Sequence, residues 1–120
     1  MIRRFNFDYD FENDDLFLFD PKSKSKASIE IGDFIIDYNS NNEISAIEML
    51  NASVFFKGIK GEVNLNKNTL KDINDCKIAI VRKNNFLMIQ LIMTLTSKEQ
   101  IITPFYIPSI TQRSPALAGF

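Results

Sequence analysis

The 120-residue chain carries 14 basic and 15 acidic side chains, a net charge of −1, and 45% hydrophobic residues. That size predicts one compact domain, because a chain of this length buries roughly 65% of its unfolded surface, enough for a single core. The balanced charge argues against nucleic acid or an anionic membrane as partner. With no histidine in the sequence, Ser-His-Asp and Cys-His catalysis are excluded and a zinc site would need unusual ligands. Cys76 is the only cysteine, so no intrachain disulfide forms; it stands at the start of an apolar strand pattern and reads as packed core in a reducing, cytoplasmic setting. The first eight residues alternate and contain no apolar stretch of signal-peptide type. Residues 86–95, the longest apolar run, are interrupted by Gln90 and Thr94, and no segment is long enough to span a bilayer.

The chain reads as strands. Phe5, Phe7, Tyr9 and Phe11 recur at every second position, opposed by Asn6, Asp8 and Asp10, which predicts a strand with one buried and one wet face. Leu16, Phe17, Leu18 and Phe19 predict a strand covered on both sides or pairing centrally. Asp20-Pro21 ends it, and Lys22, Lys24 and Lys26 then read as a solvated loop. Residues 28–31 and 34–38 predict strands around Gly32, residues 39–43 a hairpin turn, and residues 44–50 the return strand. A brief coil at 51–53 precedes Val54, Phe55 and Phe56. Gly58 and Gly61 mark bends, Val63 and Leu65 alternate with asparagines, and Asn68 or Thr69 is the expected cap of a short helix reaching Ile73. A second meander follows at residues 77–82, 86–96 and 101–107, with Pro104 marking an edge strand or bulge. Residues 108–120 read as an irregular tail.

One stretch carries a family pattern. Tyr9-Asp10, then Asp15, Leu16 and Leu18, then Asp37-Tyr38-Asn39 with a polar turn and Glu43-Ile44-Ser45-Ala46-Ile47-Glu48-Met49-Leu50-Asn51-Ala52-Ser53, together resemble the prokaryotic domain-of-unknown-function family 2283. The resemblance covers residues 9–53, with Asn42 and Ala46 standing where the family has glycine. It implies a small β-rich domain without an established activity. Because some members are encoded beside small toxin-like proteins, it also implies a possible antitoxin-type binding role. The resulting division is a family-like half at 1–56, a second β-meander at 57–108 and a tail at 109–120, within one domain.

Within that stretch, Asp37, Asn39, Asn41, Glu43, Ser45 and Glu48 fall near the ligand spacing of an EF-hand calcium loop. The alternating residues 29–36 oppose the entering helix such a loop needs, and a plain hairpin with Asp37 facing Glu48 across the ladder is the favoured expectation. Paired carboxylates among Asp8, Asp10, Asp14, Asp15, Asp37 and Glu48 could serve as acid and base if a cleft gathered them; on a wet strand face they serve solubility. No glycine-rich phosphate loop is present, and the eleven phenylalanines read as core or interface. The expected fold is mainly β, an antiparallel two-layer sandwich or partly open barrel with one or two short helices, α+β being the alternative. The expected function is a non-catalytic binding or assembly module, a homodimer or the partner of a small protein, without cofactor, metal or assigned catalytic residues. The alternative is a carboxylate-based or calcium-dependent enzyme.

Overall fold

The computed structural model describes residues 2–57 and 66–108. In chain order they form β1 (Ile2–Asp10), β2 (Asp15–Phe19), β3 (Ala27–Ile31), β4 (Phe34–Tyr38), β5 (Ile44–Met49), α1 (Ala52–Lys57), α2 (Lys67–Lys71), β6 (Ile73–Arg82), β7 (Phe86–Leu95) and β8 (Gln100–Pro108). All eight strands lie in one antiparallel sheet ordered β3-β4-β5-β2-β1-β6-β7-β8. β1 is the seam: its residues 6–10 pair with β2 and its residues 2–5 pair with β6.

Period-two alternation puts Phe5, Leu16, Leu18, Ile36, Ile47, Met49, Ile78, Ile89, Leu91 and Met93 on one fully buried face. The sheet closes that face by curling. β4 and β8 are six strands apart, which would be about 29 Å in a flat sheet. Yet the rings of Phe34 and Phe105 meet edge to face at 5.0 Å. Of the two expected architectures, the curled half-barrel is the one formed.

Several local expectations are corrected. β2 pairs centrally, between β5 and β1, but is covered on one side only: Leu16 and Leu18 are buried, whereas Phe17 is 37% exposed and stacks on Phe19 at 5.1 Å. Ala52 and Ser53 open α1, which runs to Lys57, instead of a brief coil, because Asn51 takes a left-handed conformation (φ 53) that turns the chain out of β5. The cap of α2 is Asn66, not Asn68 or Thr69. Its side chain accepts from the Thr69 amide at 3.0 Å in a capping box, and Ile73 begins β6 instead of ending the helix. Cys76 is buried as expected, and burial pushes its thiol up to about 12. The bends at Gly58 and Gly61, the pair Val63 and Leu65, and the tail at 109–120 lie outside the described residues.

Candidate binding groove

The curl that brings β8 back toward β4 leaves an apolar hollow of about 290 Å³. Its walls are Ile31, Asp33 and Phe34 from the β3–β4 hairpin, Val54 and Phe55 from α1, and Phe105, Tyr106 and Ile107 from β8. Phe34, Phe55 and Phe105 form an edge-to-face trio at 4.9, 5.0 and 6.4 Å that holds the floor rigid. Val54, 66% exposed, and Tyr106, 61% exposed, stand at the mouth. Among the described residues Asp33 is the only charged one in the lining. Such a lining takes apolar side chains or a small aliphatic or aromatic body, with one carboxylate to orient it.

α1 is positioned by a polar cluster that also explains much of the family pattern. Asp14, itself left-handed (φ 54), presents its carboxylate to the first turn of α1. It accepts from the Ser53 amide at 3.0 Å and hydroxyl at 2.6 Å and from the Tyr9 hydroxyl at 2.5 Å, while its carbonyl accepts from the Ala52 amide. Burial pushes Asp14 up, but the bonds from Ser53 and Tyr9 outweigh it and hold the carboxyl below its ordinary range. The Tyr9 phenol is raised by burial and by the Asp14 carboxylate it bonds. Tyr9, Asp14, Asn51, Ala52 and Ser53 thus form a helix-capping device.

The acids of the outer face gather differently from expectation. In register, Asp37 lies opposite Ala46, and Glu48 opposite Ile35 on β4 and Phe17 on β2, so Asp37 and Glu48 do not face each other directly. Since Leu16 pairs with Met49 and Phe17 with Glu48, Asp15 lies diagonal to Glu48. Their hydrogen bond, with burial and the charges of Asp15 and Asp37, pushes Glu48 up to about 7. The buried Asp15 Oδ1 has no hydrogen-bond partner of fixed geometry among the described residues. Asp37 accepts from the hydroxyls of Ser28 at 2.6 Å and Ser25 at 3.0 Å. None of these three acids lines either described hollow.

The calcium-loop spacing is that of the β4–β5 hairpin. The Asn39 side-chain oxygen accepts from the amides of Asn41 and Glu43 at 2.9 and 3.0 Å, and Asn42 supplies the left-handed turn (φ 59) for which the family has glycine. The loop is flanked by strands, and no metal-holding group of three acids or cysteines occurs among the described residues. A second, polar hollow of about 400 Å³ lies beside this hairpin, with Lys22 and Lys24 on its wall. There Arg3 bridges Asp20 at 2.6 Å and the Ile44 carbonyl at 2.9 Å, and the bond from Arg3 lowers the Asp20 carboxyl.

Sequence reasoning did not assemble the groove. Phe34, Phe55 and Phe105 come from three elements far apart in the chain, and each carries a strand- or core-like signal of its own.

The chain matches the family model described as protein of unknown function (DUF2283) over residues 6–53. That segment starts where β1 turns from β6 to β2 and ends on Ser53, the ligand of Asp14, so it is the unit β1–β5 with the cap of α1. An uncharacterised protein of Methanocaldococcus jannaschii is 41% identical over 64 residues, 53% of this chain and 53% of that protein. A protein of Methanosarcina mazei, provisionally named a hypoxanthine phosphoribosyltransferase, is 29% identical over 96 residues, 80% of this chain and 72% of that protein. The chain thus spans about half the length of the Methanocaldococcus relative. No solved structure matches.

Proposed function

We propose that the protein is a cytoplasmic, non-catalytic binding module whose groove takes an apolar segment of a small protein partner, as an antitoxin-type component would. The observation that supports this reading is the groove itself: a rigid phenylalanine floor, an open mouth at Val54 and Tyr106, and a single orienting acid, Asp33. A concave apolar surface open to water lowers its free energy by being covered. Catalysis by carboxylates is less well supported, since Asp15, Asp37 and Glu48 lie on an open sheet face without a substrate cavity. The activity in the name of the Methanosarcina relative stays with that relative.

The test is affinity capture of the tagged chain from its native host, beside Val54→Asp. A stoichiometric protein recovered with the parent and lost with the variant supports the reading. Equal recovery with both moves the binding surface elsewhere, and recovery of none with the parent sinks it. Val54 is exposed, so circular dichroism of the variant should match the parent.

A further inference from the structure

We propose that the free edge of β3 pairs with β3 of a second copy, antiparallel and about a two-fold axis at Ile29; this deepens the assembly side of the binding-module reading and rests on it. The sheet has two ends, and they are built differently. β8 carries Pro104 and Pro108, which cannot donate to a further strand. β3 has no proline and no bulge, no other element pairs with its outer side among the described residues, and four of its five residues are exposed. An unguarded edge is a template for another strand.

The register follows from which backbone groups are free. Gly32 (φ 56) and Asp33 form a two-residue turn, so Ile31 and Phe34 close the hairpin as a hydrogen-bonded pair. Alternation from that pair points the amides and carbonyls of Ser28 and Glu30 to the open side. The Lys26 amide is already committed to the Tyr38 carbonyl at 2.7 Å, so the open edge runs from Ser28 to Glu30 and its centre is Ile29. Antiparallel pairing there sets Ser28 against Glu30 of the partner subunit and Ile31 against Ala27 of the partner subunit, with Ile29 meeting its own copy.

The side chains agree with that arrangement. β3 is bipolar, with exposed Lys24 and Lys26 at its start and exposed Glu30 and Asp33 at its end, and none of the four is in an ion pair among the described residues. Antiparallel self-pairing lays each basic end on the other copy's acidic end. Lys26 then comes diagonal to the partner's Glu30, within reach of a long side chain. Parallel addition, or a register centred on Glu30, sets like charges together.

Light scattering at about 100 µM should give twice the 13.8 kDa chain mass. Glu30→Lys and Lys26→Glu should each weaken the dimer by roughly tenfold or more, and combining them should restore it. Both residues are exposed, so each variant should keep the parent's circular dichroism and melting. A parent that stays monomeric overturns the proposal, as does a dimer indifferent to both single changes. If the parent is monomeric yet captures a stoichiometric partner through its groove, self-pairing falls and the binding-module reading stands.

Discussion

The two halves of the sheet share one alternation but not one outer face. In β1, β2, β4 and β5 the outward positions carry Asp8, Asp10, Asp15, Asp37 and Glu48 around the apolar Phe17, Phe19 and Ile35, and the inward ones carry the core. In the meander β6–β8 the outward positions carry Val81, Phe86, Ile102 and Tyr106, all exposed, with Met88 and Ile92 half-buried beside them. Alternation therefore locates a core without stating what the other face is for. The acids of the first half keep that face in water and discourage stray strand contacts. The meander contributes its inner face: Phe105 completes the phenylalanine trio, and β6 takes up the residues of β1 that β2 leaves unpaired.

The largest expected effect tests whether the halves share one core. Leu18 in the family segment and Leu91 in the meander are both fully buried. Leu18→Ala and Leu91→Ala should each cost about 2–5 kcal/mol and shift a single melting transition seen by calorimetry. Two separable transitions, each moved by only one of the changes, would split the molecule at the β1 seam.

Next comes the capping cluster of the first half, which the meander lacks. Asp14→Ala leaves the Tyr9 hydroxyl and both Ser53 donors without their acceptor. It should cost about 2–3 kcal/mol in urea unfolding, against about 1 kcal/mol for Ser53→Ala. An Asp14→Ala cost no greater than that of Ser53→Ala would show that the carboxylate is not the centre of the cluster.

The acidic face gives a smaller effect with a definite sign. Glu48 holds its proton to about pH 7 in the folded chain, above its ordinary 4.5, so the native state binds a proton that the unfolded chain has released. That contribution is full below about pH 4.5, shrinks as pH rises toward 7 and is gone above it. Allowing for partial exposure, it amounts to about 1–2 kcal/mol. Urea midpoints measured from pH 4.5 to 8 should fall in the parent more than in Glu48→Gln. Asp14 and Asp20, both lowered, act in the opposite sense and lose their contribution on acidification below their ordinary range.

The strands were legible because period-two patterns survive in one dimension. Phe5 to Phe11 and the β4–β5 hairpin needed only neighbours and turn chemistry, and the left-handed Asn42 was readable from the glycine the family has there. What was not legible depended on contacts between distant segments. The start of α1 looked like coil because its cap, Asp14, lies 39 residues from Ser53. Phe17 looked buried because sequence does not state which sheet face a neighbour will cover. Glu48 looked like a partner of Asp37 because the β5–β2 pairing that brings Asp15 beside it joins strands separated by a whole hairpin.

The smallest expected effect again separates the halves. Thr103 on β8 is fully buried opposite Leu91, and its hydroxyl finds no partner among the described residues. A hydroxyl removed from water without a hydrogen bond costs about 1–3 kcal/mol, whereas a methyl group of the same shape would not. Thr103→Val should therefore raise stability by up to about 1 kcal/mol, read as a higher urea midpoint at unchanged slope. Removing the hydroxyl of Ser45 (Ser45→Ala), buried in the family half with its hydroxyl 2.8 Å from that of Ser25, should lower it, because there the buried hydroxyl has its partner. A loss of stability in Thr103→Val would mean that the hydroxyl is satisfied in solution, and that the core of the meander is as fully paired as that of the family segment.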